Sequence, residues 1–297
     1  MNEFILFTEH PDLHSSLRFI EEANNLGLKT SIINPYEQIL ETLPGKSLNM
    51  EKTLILHRVT GIRHQNYDLN LCFNLLSCGA KIFNSPTTFL KLRDKEQQAV
   101  FFHGHDINII PTISFRKRPY RNDLEYINEK FSKYLKADEP SYILKTLRGN
   151  QGIGVNLIHG KKSMIGILET LWAIRDQEFL IQPYLEGGAE YRLLISAGKI
   201  LGGIHRYPTE HDFRANSDRG NADPITISDL PPNVVEMAKK VHEVSGALYF
   251  ALDIMEVNGE LFLIEFNLVP GHKQMERLTG KNIAKEILKD ALKEGES

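Results

Sequence analysis

Residues 251–271 read Ala-Leu-Asp-Ile-Met-Glu-Val-Asn-Gly-Glu-Leu-Phe-Leu-Ile-Glu-Phe-Asn-Leu-Val-Pro-Gly. Asn258-Gly259 stands between two apolar runs, which is the strongest short-range hairpin signal. Three oxygen-bearing side chains interrupt those runs: Asp253, Glu265 and Asn267. Carboxylates in strands that are apolar on both faces are costly to bury bare. Two carboxylates and an amide form a hard oxygen set that suits Mg²⁺ or Mn²⁺ far better than zinc. Taken alone, the stretch serves as a cation site or as an ordinary buried hairpin with satisfied polar groups.

The cation reading carries a parity requirement. Side chains alternate faces along a strand, so Glu265 and Asn267 share one. A two-residue loop at Asn258-Gly259 in regular register pairs Leu252 with Glu265 and turns Asp253 to the opposite face. A three-residue loop, with Gly259 left-handed as a bulge, puts all three on one side. A cation site at this hairpin therefore needs an odd or bulged connection.

At 297 residues the chain is long enough for two or three domains and a sizeable core. A formal charge of -3 gives no electrostatic argument for nucleic acid or membrane. Charged content of 25% and hydrophobic content of 41% describe a soluble globular protein, and no apolar stretch approaches membrane-spanning length. Cys72 and Cys78 lack metal-site spacing and read as reduced thiols of a cytoplasmic protein. The apolar run from Met1 to Phe7 lacks a basic leader and reads as a first strand.

The first third alternates strands (4–7, 28–33, 54–56, 81–83) with helices (12–26, 65–78), which argues an α/β layer with a largely parallel sheet. Asn84-Ser85-Pro86 breaks that pattern and sets a first boundary, giving segments 1–86, 87–185 and 186–297. The middle segment has one helix at 87–103, strands near 112–115, 141–146, 155–158 and 178–183, and helices at 121–135 and 163–174. The last has strands at 190–196 and 200–206, an irregular polar stretch at 207–224, a helix at 232–245, the hairpin, and a final helix at 281–293.

Lys145 ends the strand Tyr142-Ile-Leu-Lys, just before the glycine-rich loop Arg148-Gly-Asn-Gln-Gly-Ile-Gly154. A strand lysine beside such a loop suits phosphate oxygens, because glycine lets backbone N–H groups approach closely. It is not a P-loop, since no Gly-Lys-Ser/Thr opens a helix; a plain surface hairpin is the bland alternative. Lys95, on a helix, is by itself a solvated lysine. Gln182-Pro183-Tyr184-Leu185 ends an apolar strand; as a hinge under adenine, the Pro183 carbonyl and Leu185 N–H face the base edge, and proline removes only a donor that contact does not need. Glu190 suits ribose hydroxyls or a solvated strand edge. Arg206, Arg214 and Arg219 flank a polar stretch and suit bidentate clamping of phosphate or carboxylate, with Asn216 beside them. His205 and His272 lie near these motifs and read as structural or solvated.

In this order the motifs resemble the ATP-grasp superfamily. The phrases Arg93-Asp-Lys95, Gln151-Gly-Ile-Gly154, Asp212-Phe-Arg214 and Thr279-Gly280 narrow the resemblance to RimK-type carboxylate–amine ligases, over roughly residues 80–293. The resemblance implies a Rossmann-like pre-ATP-grasp domain at 1–86, a central lid subdomain at 87–185 and a C-terminal subdomain with the metal site at 186–297. It implies that Lys95 and Lys145 contact ATP phosphates, with Gln151, Gly152 and Gly154 in the covering loop. Gln182, Pro183, Tyr184 and Leu185 would hold adenine, and Glu190 the ribose. Arg214, Ala215 and Asn216 would approach the triphosphate, Asp253, Glu265 and Asn267 would bind two Mg²⁺ ions, and Arg206, Arg219 and the residues after Pro270-Gly271 would face the acyl phosphate and acceptor. The partners it implies are ATP, a carboxylate and an amine; homo-oligomers are common in such ligases.

Departures from the family pattern cluster in places. Pro183 replaces an acidic hinge residue and Glu190 an aspartate. His205-Arg206-Tyr207 stands where the glutamate ligases carry Glu-Arg-Arg, Asn221 where a second glycine is usual, and Gly271-His-Lys-Gln-Met275 differs from the usual Gly-Leu-Glu. These are expected to surround the substrate pocket, so they bear on substrate more than on ATP. The rival readings are a kinase that stops at phosphoryl transfer and a non-catalytic nucleotide-binding protein.

Overall fold

The computed structural model describes residues 1–41, 49–117, 119–136, 138–147, 154–174, 178–186, 189–208 and 221–296. The N-terminal layer runs β1 (Glu3–Phe7), α1 (His14–Asn25), β2 (Lys29–Ile33), β3 (Thr53–His57), α2 (Tyr67–Ser77) and β4 (Lys81–Phe83). Its strands lie in the order β2-β1-β3-β4 and every pairing is parallel, as the strand–helix alternation predicts. Phe7, Ile55 and Ile82 on one face pack on Leu71 and Cys72 of α2.

The predicted single helix at 87–103 is two: α3 (Pro86–Leu92) and α4 (Lys95–His103). Asp94 interrupts it, because its carboxylate accepts the N–H groups of Glu96 (2.8 Å) and Gln97 (3.3 Å) and so starts a new helix. Lys95 thereby becomes the first residue of a helix. Arg93, at the joint, forms an ion pair with buried Asp68 of α2, which fixes the joint to the N-terminal layer.

Next come β5 (Ile113–Ser114), α5 (Arg121–Lys130), β6 (Ser141–Thr146), β7 (Val155–His159), α6 (Lys161–Ile174) and β8 (Phe179–Pro183). They form an antiparallel sheet in the order β5-β8-β6-β7, with Tyr142, Leu144 and Ile181 packed on Leu124, Ile127, Met164 and Leu168 of the two helices.

The last sheet contains β9 (Ala189–Ser196), β10 (Lys199–Tyr207), β11 (Asn221–Ile225), β12 (Tyr249–Val257) and β13 (Glu260–Asn267), in the order β11-β10-β9-β12-β13. β11 overlaps the end of the stretch predicted to be irregular. Asn-Ala-Asp-Pro-Ile carries little strand propensity, and only a sheet-edge position tolerates its proline. α7 (Pro232–Ser245) covers one face of this sheet through Val234, Ala238 and Val241 against Leu193, Phe250 and Leu252. On the other face Leu194, Ile204 and Tyr249 meet Leu6, Phe19 and Leu54 of the N-terminal layer. A short α8 (Lys273–Thr279), unforeseen from sequence, and α9 (Ile283–Glu296) complete that second core. No described helix is long and apolar enough to cross a membrane.

The hairpin meets its parity requirement by an unexpected route. Its loop has two residues: Val257 pairs with Glu260, and both Asn258 (φ 52°) and Gly259 (φ 78°) are left-handed. The register then slips. Ile254 pairs with Leu263 but Asp253 pairs with Glu265, leaving Ile264 as the extra residue of a bulge. The segment before β5 pins this distortion: Leu263 N–H donates to the Asn108 carbonyl (2.8 Å), and Asn108 Nδ2 to the Leu261 carbonyl (2.7 Å). Replacing Gly259 by alanine puts a Cβ on a left-handed residue and is expected to cost about 1 kcal/mol. Urea unfolding checks this as a lower midpoint at unchanged slope.

Candidate active site

With the bulge in place, Asp253, Glu265 and Asn267 lie on one face of the C-terminal sheet. Asp253 sits directly opposite Glu265, and Ala251 opposite Asn267. The same face continues across β9 and β10 through Glu190, Arg192 and Arg206, because Arg192 pairs with Asp253 and Glu190 with Arg206. Apolar residues farther along that face belong to the core shared with the N-terminal layer.

Two backbone clamps hold the hairpin. Gln98 of α4 donates from Nε2 to the Phe266 carbonyl (2.8 Å) and accepts from the Phe266 N–H (3.2 Å). Phe266 lies between Glu265 and Asn267, so α4 fixes the spacing of those two side chains. Asn84, wholly buried, donates from Nδ2 to the Tyr249 carbonyl (2.6 Å) and accepts from the Tyr249 N–H (3.1 Å). Neither clamp residue shows in the sequence pattern, since each acts on backbone far along the chain.

Asp253 is buried and lies against two guanidiniums. Arg192 Nη1 contacts its two oxygens at 2.9 and 3.0 Å, and Arg206 Nη2 reaches Oδ2 at 2.9 Å. Arg206 also forms a close ion pair with Glu190. Burial works against ionising Asp253, yet Arg192 and Arg206 outweigh it and hold its carboxyl below the usual carboxylate range. For Glu190 the balance reverses, and burial raises its carboxyl despite Arg206. Arg192 is absent from the sequence-based set. Alternation gives it: it lies two residues from Glu190 on one strand and must share its face.

The lysines converge on this face from the other elements. Lys95 Nζ lies 3.5 Å from Glu265 Oε1, and its backbone N–H donates to the Leu147 carbonyl (3.3 Å), two residues beyond Lys145. Burial lowers Lys145 to about 8 from an ordinary 10.5, with Lys95 adding to the drop and Glu265, Glu190 and Asp253 opposing it. Lys95, Gln98, Thr112, Lys145, Gln182 and Glu265 line a cleft with about 350 Å³ of empty space, open solvent included.

At the hinge, Tyr184 N–H donates to the Ser141 carbonyl (3.0 Å), and Pro183 pairs with Tyr142. Ladder alternation therefore turns the Pro183 carbonyl away from β6, and its missing N–H costs the ladder nothing. Gln182 donates to Thr112 Oγ1 (2.9 Å), while its buried Oε1 makes no hydrogen bond. Leu185 is buried with Ile110 and Phe262. Gly154 is left-handed (φ 77°), and a Cβ there would meet Thr146 Oγ1 at 2.4 Å, so glycine is required where the loop rejoins β7. Gln151, Gly152, Arg214, Ala215, Asn216 and Arg219 lie outside the described residues.

One expectation needs correcting. His205 and Tyr207 flank Arg206 and therefore point to the opposite face of β10, where His205 stacks on Tyr191 (ring centroids 5.2 Å apart, 28° between planes). These departures from the family pattern do not line the face that bears Asp253.

Arg206→Met would leave Glu190 without its cation and Asp253 with one guanidinium fewer inside the protein. It is expected to destabilise the fold by about 3 kcal/mol or more, measured by chemical denaturation.

The chain matches the model of the RimK-like ATP-grasp domain over residues 109–291. A relative from Halorhodospira halophila that carries the name probable alpha-L-glutamate ligase is 32% identical over 286 residues, covering 93% of this chain and 90% of the relative. The crystal structure of a RimK domain ATP-grasp protein from Sphaerobacter thermophilus superposes with a TM-score of 0.69 at 18% identity, covering 97% of this chain and 98% of that one. The ATP-grasp ligase PsnB, complexed with a minimal precursor, Mg and ADP, superposes with a TM-score of 0.71 at 12% identity, covering 99% and 98%. The chain belongs to the RimK-like ATP-grasp family, whose members are ligases that form carbon–nitrogen bonds.

Proposed function

We propose that this protein is an ATP- and Mg²⁺-dependent carboxylate–amine ligase. It phosphorylates a carboxylate to an acyl phosphate, which an amine then attacks with release of phosphate. The observation that carries this reading is the bulged hairpin, which aligns Asp253, Glu265 and Asn267 opposite Lys95 and Lys145.

The residues fit the implied groups. Asp253, Glu265 and Asn267 offer only hard oxygens, and we assign them two Mg²⁺ ions. Asn267 Oδ1 accepts the Val269 N–H at 2.9 Å and keeps a second lone pair. Bound Mg²⁺ would neutralise charge on the transferring phosphoryl group. Lys95 and Lys145 bind phosphate oxygens. The unbonded Gln182 Oε1 and the Pro183 carbonyl suit the adenine amine, with Tyr184 and Leu185 completing the hinge and Glu190 toward the ribose. Arg192 holds Asp253 in place. Arg206 does the same, and its buried, unbonded Nε is a donor for the acyl phosphate. Arg214, Ala215 and Asn216 are assigned to the triphosphate, Arg219 to the acyl phosphate, and Gln151, Gly152 and Gly154 to the covering loop. The name of the Halorhodospira relative supports glutamate as the added amino acid, and the precursor peptide with which PsnB is also complexed supports a peptide substrate.

Incubation with Mg-ATP, pooled amino acids and candidate acceptors should give ADP, phosphate and an amide product by mass. A stable phosphorylated product without amide would instead mark a kinase. Glu265→Gln should lower ATP turnover by about 10²-fold or more; unchanged turnover and Mg²⁺ binding in that variant would sink the proposal.

The Lys145 ammonium makes a pH prediction. kcat/KM for ATP should fall as pH rises through about 8, where the free enzyme loses this charge. Lys145→Arg, which stays charged, should move that limb to higher pH. Stability runs the other way: between about 8 and 10.5 the unfolded chain holds the proton that the folded site has released. This group therefore adds stability as pH rises through that window.

A further inference from the structure

One side-chain cluster lies outside the residues assigned to ATP and Mg²⁺, although it includes His272 in the stretch after Pro270-Gly271 that the family resemblance turns toward the acceptor. His14 opens α1, His272 directly precedes α8 and Glu276 lies within it. His14 Nε2 is 2.8 Å from Glu276 Oε2, and His272 Nδ1 is 3.3 Å from Glu276 Oε1. One donor from each of the three falls within 4.8 Å of the others. A tetrahedral ion with bonds of about 2.0–2.1 Å spaces its ligand atoms about 3.3 Å apart, so the widest pair of donors must close by up to about 1.5 Å.

A second observation points to a ligand. His272 is wholly buried; its Nδ1 meets only the Glu276 carboxylate, without hydrogen-bond alignment, and its Nε2 has no hydrogen-bond partner. Buried polar atoms as a rule are hydrogen-bonded, and an imidazole has two such atoms to satisfy. The His272 ring is held edge-on by Phe19, with ring centroids 5.2 Å apart, and stands 5.9 Å from the His14 ring. Glu276 is fixed as well, since its Oε1 accepts the N–H groups of Ile283 (3.0 Å) and Ala284 (3.3 Å). Such outer bonds orient a ligating carboxylate. The charges nearby admit a cation. Arg18 approaches Glu276 Oε2 at 3.5 Å but is shared with Glu21 and Glu22, and Arg58 is drawn to the Pro270 carbonyl.

We propose that His14, His272 and Glu276 form a transition-metal site, with Zn²⁺ the ion best suited to two imidazoles and a carboxylate. A water on the partly exposed His14 side completes the shell. The ion staples α1 of the N-terminal layer to α8, which follows closely on the strand that carries Glu265 and Asn267. The site needs no part of the ligase reading.

The test uses full-length protein stripped with chelator and held in excess Mg-ATP, with Co²⁺ as the optical probe. Wild type should bind one equivalent of Co²⁺ with the visible absorption of a low-coordinate, nitrogen-ligated ion, and one equivalent of Zn²⁺ should displace it. His14→Gln, at a partly exposed position, should weaken binding by more than about 10-fold, and Glu265→Gln should leave it intact. Zn²⁺ should raise Tm by roughly 3 °C or more in wild type and not in His14→Gln. His272→Leu, which replaces the buried imidazole with an apolar side chain, should fold and lose the absorption. Equal Co²⁺ binding by wild type and His14→Gln, or no such absorption in wild type, would overturn the proposal.

Discussion

A strand can present its side chains only to alternate faces, and this constraint governs the active site. With a two-residue turn and an unbroken ladder, Asp253 would face the cleft while Glu265 and Asn267 turned to the α7 face. The extra residue at Ile264 moves the far half of β13 by one position and reunites the three. The bulge lies well inside the strand, and Asn108 holds it there through two hydrogen bonds to β13. The slip also turns Phe266 to the α7 face, where it packs in that core.

Charge is the second constraint. Among the described residues, Asp253, Glu190 and Glu265 share one surface with Arg192, Arg206, Lys95 and Lys145. No member could be buried alone at tolerable cost, so the sheet places each carboxylate beside a cation. The division is uneven. Asp253 has two guanidiniums and keeps its charge readily, whereas Glu190 pairs with Arg206 and is still raised by burial. Burial lowers Lys145 to about 8, which makes it sensitive to mildly alkaline pH.

The cleft belongs to no single sheet. Gln98 ties α4 to the metal-binding strand, Asn84 ties the end of the N-terminal layer to β12, and the Lys95 N–H ties α4 to the segment after β6. Each bond is worth only about 1 kcal/mol. Together they fix where the two lysines stand relative to the three oxygen ligands. The His14–His272–Glu276 cluster joins the N-terminal layer to the same region from behind.

Much of this was legible in the residues themselves. The parallel first layer, the hairpin, the lysine before the glycine loop, and the need for an odd or bulged connection follow from periodicity and parity, which are local properties. The chain's own pattern also singled out Asp253, Glu265 and Asn267, because oxygens among buried apolar residues are conspicuous in one dimension. Other features belonged to the tertiary structure alone. These are the bulge at Ile264 instead of Gly259, the helix restart at Asp94, the edge strand β11, the backbone clamps of Gln98 and Asn84, and the outward direction of His205 and Tyr207. Each depends on which distant segment supplies a hydrogen-bond partner or a packing surface, and sequence spacing does not carry that information until the chain has folded.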